Sequence, residues 1–366
     1  MRDPNDQKFP PVWLVKAIQI FRDSLIRLNK KMFPGNVVLY EQFQSFWVLP
    51  SLYVAAKLDI ATCLKSGPLS SKTIAQRVNA NDTNITRILR ALCSQGIFKQ
   101  LKDGRFALNN LAMGLLNESG SLRYMILHHL GPINWNLMSN LEYAVKSGHD
   151  AFTNKYGEPI YDYLRHHPDE YSTFDQSMSN LSDLSLTPIL NAYNFSKFPV
   201  IADIGGGEGF FLANILKRNK SSRGILFDLP EALEKAPTML EHFGTHQRID
   251  IIPGDFFKEV NFSADLYLLK NIIHNWDDQH CILLLKNISR QIKPDSRLII
   301  FEMMIHDNNL AELVKLLDIQ MLATMPGGKE RTREEFAFIL KESGFELTKI
   351  IPTIAPICLI EAKKHE

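Results

Sequence analysis

Val200-Ile-Ala-Asp-Ile204 runs directly into Gly205-Gly-Gly-Glu-Gly209, and the apolar spacing of a helix follows over Phe210 to Lys217. A short, nearly continuous apolar run predicts a strand that is buried on both faces, as in a parallel sheet. A strand, a glycine turn and a helix in this order are typical of an α/β fold. Ligands of such folds bind beyond the carboxyl ends of the strands, so we expect a ligand beside the glycines.

Further strand patterns follow, with helical patterns between them, and this alternation predicts a Rossmann-like doubly wound sheet. The predicted strands are Gly224–Asp228, Ile249–Ile252, Ala264–Leu269 and Arg297–Glu302. Thr332-Arg-Glu-Glu335 has the form of a capping box and predicts a helix that Gly344 ends. Two last strands, Leu347–Ile351 and Ile357–Ala362, are close enough to pair as a C-terminal antiparallel hairpin.

The first half of the chain is mainly helical in pattern and contains one distinct segment. Ser71–Val78 predicts a short helix, Asp82 is expected to cap a second helix over Thr83–Ser94, and Gly96 ends it. A hairpin around Asp103-Gly104 is expected to follow. This order is typical of a winged helix.

The chain has 366 residues, which favours more than one domain. We predict an N-terminal winged-helix-like domain over 1–120, a helical connecting and substrate-pocket region over 121–195, and an α/β domain over 196–366.

Composition excludes several classes of protein. The 41 Lys and Arg residues balance 40 Asp and Glu residues, which argues against a globally basic nucleic-acid binder and against an acidic disordered chain. The four cysteines, Cys63, Cys93, Cys281 and Cys358, are far apart and form no C-x-x-C pair. This spacing predicts neither a disulfide framework nor a zinc ribbon, so we expect a cytoplasmic protein.

No targeting or membrane signal is expected. The beginning, Met1-Arg-Asp-Pro-Asn-Asp6, is too polar and acidic for a signal peptide, and no apolar run is long enough to span a bilayer. Pro11–Leu28 places Leu14, Ile18, Phe21, Leu25 and Leu28 on one helical stripe. We expect this helix to pack, and a second subunit is one candidate for its partner.

The glycine run has the spacing D-x-G-x-G-x-G over Asp203–Gly209, which differs from two phosphate-binding motifs. Phe210 stands where the dinucleotide motif has its third glycine, and no Gly-Lys-Ser/Thr follows as in a P-loop. Asp228, at the end of the next strand, is placed to accept both ribose hydroxyls of an adenosine. A tight turn without any ligand is the alternative that the glycines alone leave open.

Five segments occur together in one order and spacing. They are Asp203-Ile-Gly-Gly-Gly-Glu-Gly209, Phe227-Asp-Leu-Pro230, Gly254-Asp-Phe-Phe257, Leu269-Lys-Asn-Ile-Ile-His-Asn-Trp276 and Pro326-Gly-Gly-Lys-Glu-Arg-Thr332. In these segments the chain resembles the S-adenosylmethionine-dependent O-methyltransferases of the caffeate and hydroxyindole (plant-type) family. The resemblance covers nearly the whole chain and implies an N-terminal winged-helix dimerisation domain, and therefore a homodimer.

The resemblance also implies which residues bind S-adenosylmethionine. Gly205 would lie against its methionine end, Asp228 would hold the ribose, Asp255 would bind the adenine amino group, and Phe256 would pack on the adenine ring. Lys270 would make a further contact, and the motif neighbours Leu229 and Gly254 are assigned to the same site. The family usually has Met at the position of Phe256, and both side chains offer an apolar platform.

Methyl transfer from a sulfonium to an oxygen requires alignment of the acceptor and removal of its proton. His274 lies between a strand end and a helix start, and the ordinary pKa of histidine suits a general base. The resemblance implies that two acids fix its tautomer, at the positions of Glu302 and Glu330. The alternatives are a structural histidine and, for Glu330, a surface charge.

Six apolar residues would line the acceptor pocket by family position, namely Trp135, Phe174, Met178, Trp276, Met321 and Met325. Aromatic and methionine side chains suit a flat apolar ring, which predicts a small hydroxylated aromatic substrate. For Met178 and Met321 an ordinary core position is an equal alternative. Asn275 replaces the Asp that the family often has after the catalytic His, which affects the hydroxyl pattern expected of the acceptor.

Three competing hypotheses draw on other features of the sequence. A metal site at His274, Asp277, Asp278 and His280 is disfavoured because the acids suit a helix N-terminus and the two histidines would not share a helical face. A DNA-binding regulator is suggested by the excess of positive charge between residues 61 and 110, which contain eight basic and two acidic residues. It is disfavoured because only two of the basic residues, Arg87 and Arg90, lie on the predicted recognition helix. A relative that binds the cofactor without methylating would be expected to lose His274 or its acids. We therefore expect no metal, no nucleic acid and no membrane partner.

Overall fold

The computed structural model describes residues 10–118 and 120–365. The polar beginning Met1–Asp6 lies outside the described residues. Contacts divide the chain into two units. The helical unit comprises Ile20–Asn140 and Tyr161–Leu184, and the sheet unit comprises Leu141–Ile160 and Ser185–Glu366 together with the segment that ends at Gln19. The domain boundaries near residues 120 and 195 stay predictions.

Between Val12 and Ala192 the regular elements of the described residues are helices and one small hairpin. They are α1 (Val12–Lys31), α2 (Gly35–Phe43), α3 (Ser45–Lys57), α4 (Ile60–Cys63), α5 (Ser71–Arg77), α6 (Asp82–Ser94), β1 (Lys99–Gln100), β2 (Phe106–Ala107), α7 (Asn110–Met113), α8 (Arg123–His129), α9 (Pro132–Met138), α10 (Leu141–Ser147), α11 (Ala151–Tyr156), α12 (Ile160–His166) and α13 (Pro168–Ala192).

Within the helical unit, α5, α6 and the antiparallel pair β1–β2 confirm the winged-helix order. The cap prediction was wrong by one residue, because the Asn81 side chain accepts the N–H of Asn84 and Asp82 is already helical. Each strand of this hairpin has two residues. Phe98 has a φ of 67°, which interrupts the extended backbone before β1. Ile74, Leu89 and Phe106 are buried in the core of this unit.

The elements after Ala192 alternate as the sequence predicts. They are β3 (Val200–Ile204), α14 (Phe210–Arg218), β4 (Arg223–Asp228), α15 (Ala236–His242), β5 (Ile249–Pro253), β6 (Leu266–Lys270), α16 (Asp278–Ser289), β7 (Arg297–Glu302), β8 (Met304–Ile305), α17 (Leu313–Thr324), β9 (Arg331–Thr332), α18 (Arg333–Glu342), β10 (Phe345–Pro352) and β11 (Cys358–Lys364). The strand predicted to begin at Ala264 begins instead at Leu266, and the N–H of Ala264 donates to the Tyr267 hydroxyl.

The main sheet has the strand order β10-β11-β7-β6-β3-β4-β5. The five strands from β7 to β5 are parallel, and β10 and β11 form the expected antiparallel hairpin on β7. The chain leaves β3 toward β4 on one side and later returns to β6 on the other. The carboxyl end of β3 is therefore the switch point at which ligands of doubly wound sheets bind.

Helices cover the sheet on both faces. Ala202 and Ile204 of β3 belong to one core, whereas Ile201 of the same strand belongs to the other. Both faces of the strand are thus buried, which explains the continuous apolar run in its sequence. The fold is the predicted Rossmann-like sheet with a C-terminal hairpin and an N-terminal helical winged-helix domain.

Among the described residues, we find no helix that has both the length and the apolar character needed to cross a bilayer.

Candidate active site

The glycine turn after β3 brings bare backbone to the switch point of the sheet. Gly205 has a φ of 71°, and its N–H donates to the Phe227 carbonyl at 2.8 Å. A Cβ at this position would lie 2.5 Å from Cδ1 of Ile272 and 3.6 Å from the Phe256 ring. A side chain here is therefore excluded both by backbone conformation and by space. The turn is a cradle that a Cβ would fill, as expected for a cofactor contact.

Asp228 faces this turn from the end of β4. Its Oδ2 accepts the N–H of Gly207 at 2.8 Å, and its Oδ1 accepts the N–H of Leu229 at 2.7 Å. Burial raises the pKa of Asp228, and the two backbone N–H groups act in the opposite direction. Each oxygen keeps a further acceptor site, so the fixed carboxylate can accept two hydroxyls of a ribose.

A cleft of about 350 Å³ opens beside Asp228. Three residues of the predicted cofactor set line it, namely Leu229, Gly254 and Asp255. A Cβ at Gly254 would lie 2.5 Å from the Phe227 ring, so only glycine fits this wall. Oδ1 of Asp255 accepts the N–H of Phe257 at 2.9 Å, which fixes the carboxylate in the cleft.

Aromatic rings form the next wall of this site. The Phe256 ring lies 4.8 Å from that of Phe257, and Trp276 meets Phe257 edge-on at 4.7 Å. Trp276 also lies 6.4 Å from Phe256. The structure therefore places Trp276 in one aromatic cluster with the predicted adenine platform. Its predicted contact with the acceptor remains a prediction.

Two buried charges lie behind the glycine turn. Burial lowers the pKa of Lys270, at the end of β6, whereas Asp203 and Glu302 raise it. Burial raises the pKa of Asp203 to about 7, although Lys270 acts against this shift. Sequence reasoning assigned no role to Asp203 itself, although an acid inside an apolar strand is a signal of a charge partner. Lys270 and Asp203 therefore form a buried pair beside the predicted methionine end of the cofactor.

His274 lies in a short 3₁₀ turn over Ile273–Asn275, which two residues separate from the end of β6. Its Nδ1 is 3.1 Å from Oε1 of Glu330 and 3.3 Å from Oε2 of Glu302. The backbone N–H of His274 also donates to Oε1 of Glu302 at 3.3 Å. The His274 side chain is 20% exposed, whereas those of Glu302 and Glu330 are 1% and 2% exposed. The three residues predicted to act together are brought together.

A small parallel ladder holds the two acids beside each other. Glu302 ends β7, and two residues later β8 pairs with β9, which begins directly after Glu330. The N–H of Glu330 donates to Oδ1 of Asp318, on α17, at 2.9 Å. The sequence offered no signal for Asp318, because it lies twelve residues away in the chain in a different element.

These contacts select one histidine tautomer. Nδ1 faces two carboxylates and carries the proton, so the unprotonated Nε2 faces away from them. Among residues 10–118 and 120–365, hydrogen bonds to the ring involve Nδ1 and not Nε2. Burial lowers the pKa of His274, but Glu302 and Glu330 outweigh burial, and the pKa lies above its ordinary value of 6.5. For the acid Glu302, burial acts in the opposite direction and raises the pKa.

Two sets of metal ligands can be compared. In the first, Asp277 caps α16 by accepting the N–H of His280, and Asp278 binds Lys329 and Arg331. These acids already have protein partners. In the second, one ligand atom from each of His274, Glu302 and Glu330 lies within 4.8 Å of the others. This is a donor set that transition metals accept, so the expected absence of a metal needs an experiment.

The six predicted acceptor residues fall in both units. Trp276, Met321 and Met325 belong to the sheet unit, and Trp135, Phe174 and Met178 belong to the helical unit. Buried Met325 directly follows α17 and lies close to Gly328, where a Cβ would be 2.5 Å from Met325 Cβ and 3.0 Å from the His274 carbonyl. Met325 is thus part of the wall around the histidine loop.

In the helical unit, Phe174 lies in an aromatic cluster that sequence reasoning did not predict. Its ring is 5.3 Å from that of His128 and 6.3 Å from that of Tyr161. Burial lowers the pKa of His128 to about 3, so its imidazole is neutral. Trp135 lies 6.0 Å from Phe46.

Asn275, the departure from the family pattern, donates from its side-chain amide to the Asn271 carbonyl at 3.2 Å. An Asp at this position would have no proton for that bond. The amide therefore stabilises the loop that carries His274.

Comparison with known proteins identifies two family domains. The O-methyltransferase domain matches residues 138–346, and the O-methyltransferase dimerisation domain matches residues 40–118. The first match spans more than half of the chain and contains the five parallel strands of the sheet together with His274, Glu302 and Glu330.

Relatives match the chain over most of its length. A phenazine O-methyltransferase of Lysobacter antibioticus is 32% identical over 90% of this chain and 96% of its own length. A mitomycin biosynthesis 6-O-methyltransferase of Streptomyces lavendulae is 30% identical over 88% of this chain and 92% of its own length. The crystal structure of human N-acetylserotonin methyltransferase in complex with S-adenosylmethionine has a TM-score of 0.82 and 26% identity, covering 91% of this chain and 99% of that one. The chain belongs to the S-adenosylmethionine-dependent O-methyltransferases of the plant and hydroxyindole type, as its motifs predict.

Proposed function

We propose that this enzyme transfers a methyl group to a hydroxyl of a small aromatic acceptor and that His274 is its general base. The observation that carries the proposal is the position of Nδ1 between the carboxylates of Glu302 and Glu330. With Nδ1 protonated, Nε2 is the ring nitrogen that can take a proton from the acceptor. A histidine serving only to fill space would not need two buried acids at one nitrogen.

The residues around the glycine turn fit S-adenosylmethionine. When bound, this cofactor supplies an activated methyl group on a positively charged sulfur and leaves as a neutral thioether. Gly205 offers bare backbone, Asp228 offers a fixed carboxylate to the ribose, and Asp255 with Phe256 offers an acceptor and a ring to the adenine. Leu229 and Gly254 line the same cleft, and buried Lys270 is the proposed further contact at the turn.

In the reaction the protein aligns the acceptor with the methyl group and removes the proton of the acceptor hydroxyl. A phenol has a pKa of about 10, so a base near neutrality contributes roughly 10²- to 10⁴-fold. Nε2 of His274 takes the hydroxyl proton, and the bond from Nδ1–H to Glu330 holds the ring in place. The imidazolium that forms is stabilised by Glu302 and Glu330, both of which are buried.

The acceptor class rests on the relatives and on apolar residues beside the base. The phenazine and mitomycin enzymes are named for aromatic or quinone-like metabolites, which supports an acceptor from secondary metabolism. Met321, Met325 and Trp276 are the apolar residues proposed for the sheet unit, with Trp135, Phe174 and Met178 for the helical unit. Because His274, Glu302 and Glu330 are all retained, methylation is favoured over another reaction on the same cofactor.

We further propose a homodimer in the cytoplasm. The dimerisation domain supports the dimer, and α1 supports it independently, because no residue of this helix is buried in the single chain. Trp13 and Phe21 are 70% and 65% exposed, which is unusual for large apolar side chains.

The cysteines at 63, 93, 281 and 358 are all free thiols, as a reducing compartment favours.

A panel of acceptors tests the reaction. We expect methyl transfer to at least one phenolic acid, flavonoid, phenazine or polyketide phenol, measured by mass spectrometry, with an equal rate after treatment with EDTA. The acceptor's methyl ether, which lacks a free hydroxyl, is the matched control. Loss of activity in EDTA and recovery with a divalent metal would contradict the general-base proposal and assign His274, Glu302 and Glu330 to a metal.

The pH profile tests the charge environment of the base. Because the neutral imidazole is the active form and its pKa is raised, activity falls as pH decreases through a value above 6.5. Glu330→Gln removes one of the carboxylates that raise this pKa, so the acid limb of kcat moves to lower pH. The titration belongs to the cluster of His274, Glu302 and Glu330, with Arg331 acting in the opposite direction. Glu334→Gln, at an exposed position, is the control. If the acid limb of kcat in Glu330→Gln stays at the same pH or moves to higher pH, Glu330 does not raise the pKa of the base as proposed.

A further inference from the structure

Arg331 is a fully buried cation in the loop that carries His274. Its side chain is 0% exposed, and a guanidinium can be buried only if its five N–H donors are satisfied. Nη1 donates to the Ile273 carbonyl at 2.9 Å and Nη2 to the Trp276 carbonyl at 2.7 Å. Nε and Nη2 both donate to Oδ1 of Asp278, at 3.1 and 2.8 Å. Nη1 also reaches the Lys329 carbonyl at 3.3 Å.

The two carbonyls belong to the residues on either side of His274-Asn275. The Ile273 carbonyl also accepts the N–H of Trp276 at 3.3 Å, and the Cys281 thiol donates to the Ile273 and Trp276 carbonyls at 3.3 and 3.5 Å. Arg331 adds a charged donor to each carbonyl and ties the turn to the first residue of α16 through Asp278. The backbone of His274 is thereby fixed on both sides of the residue, at Ile273 and at Trp276.

Arg331 directly follows Glu330, the acid at the His274 ring. The same short stretch therefore places a carboxylate on Nδ1 and a guanidinium on the backbone of one histidine. In β9, Arg331 pairs with Met304 of β8, two residues after Glu302. Movement of Arg331 would thus change the position of the ring relative to both acids.

We propose that Arg331 is a positioning residue for the methyl transfer, which sets the distance and angle between His274 and its two acids. The inference rests on the proposed role of His274 as the base. Lysine cannot replace Arg331, because one ammonium group cannot reach two carbonyls and a carboxylate in the fork geometry of a guanidinium. A misplacement of about 1 Å at a reacting group can cost about 10²-fold in rate.

The test compares Arg331→Lys in two backgrounds, the native enzyme and His274→Gln, by single-turnover rates of methyl transfer. We expect a loss of about 10- to 100-fold in the native background, with cofactor affinity and acceptor KM within about twofold. In the His274→Gln background the same substitution should change the rate less than about twofold, because nothing remains to be positioned. The matched control is Arg333→Lys, an exposed arginine two residues along the chain.

Equal losses in both backgrounds, or no loss in the native one, would overturn the inference. The proposed function is judged separately, by whether His274→Gln alone is slow. Should Arg331→Lys fail to fold, as judged by circular dichroism and thermal unfolding, Asp278→Asn tests the same contact. It removes the charge that faces the guanidinium. We expect the same dependence on His274, and a loss that is independent of His274 would again overturn the inference.

Discussion

His274→Gln lowers turnover by about 10²- to 10⁴-fold and leaves the affinity for S-adenosylmethionine within about twofold. The amide keeps much of the volume of the ring and can still donate toward the two acids, but it cannot accept a proton at neutral pH. The proposed cofactor contacts lie on the glycine turn, at the end of β4 and in the cleft at Gly254. They should therefore not change.

The loss should shrink for an acceptor whose hydroxyl ionises near neutrality, because such an acceptor needs no base. Exposed His246→Gln is the matched control and should keep native turnover. Rates are measured at saturating cofactor across acceptors of different pKa. Native turnover in His274→Gln, or a loss that is independent of the acceptor's pKa, would remove His274 from the proton transfer.

Asp228→Ala weakens binding of S-adenosylhomocysteine by about 10²- to 10⁴-fold, as measured by calorimetry. Two hydrogen bonds from ribose hydroxyls to a carboxylate contribute about 1.5–3 kcal/mol each, and each 1.4 kcal/mol changes the dissociation constant tenfold. The substitution also releases the N–H groups of Gly207 and Leu229, which loosens the turn around the ligand.

The fold should persist in Asp228→Ala, because the buried strands β3, β4 and β6 do not depend on this carboxylate for their pairing. Circular dichroism and thermal unfolding check this point. The control is Asp250→Ala, an exposed acid on the neighbouring strand β5 with a single distant Arg223 partner at 3.6 Å. Equal affinity in Asp228→Ala and the native enzyme would refute the ribose assignment.

The parts of the fold that the sequence predicts best are those with strong local signals. Val200–Ile204 is apolar almost throughout because both faces of its strand are covered, and Thr332 with Glu335 forms the predicted capping box. The hairpin at Gly104 follows from its turn, where φ is 85°. These features are determined by residues that are close together in the chain, so they can be predicted from a single sequence.

The features that were missed depend on distant partners. Asp318 binds the backbone of Glu330, and Arg331 binds Asp278 across more than fifty positions, yet neither pair has a local signature. Residues 141–160 belong to the sheet unit although their pattern is as helical as that of their neighbours. The cap at Asn81 differs from the predicted Asp82 because both residues can cap, and only the backbone conformation distinguishes them.

The most direct test of the proposed mechanism is the crystal structure of the enzyme with S-adenosylhomocysteine and its acceptor. Nε2 of His274 should lie about 2.6–3.2 Å from the acceptor oxygen, with Nδ1 still bound between Glu302 and Glu330. A ring whose Nε2 faces away from the acceptor, or an oxygen too distant for even one bridging water, would contradict the role of His274 as the base.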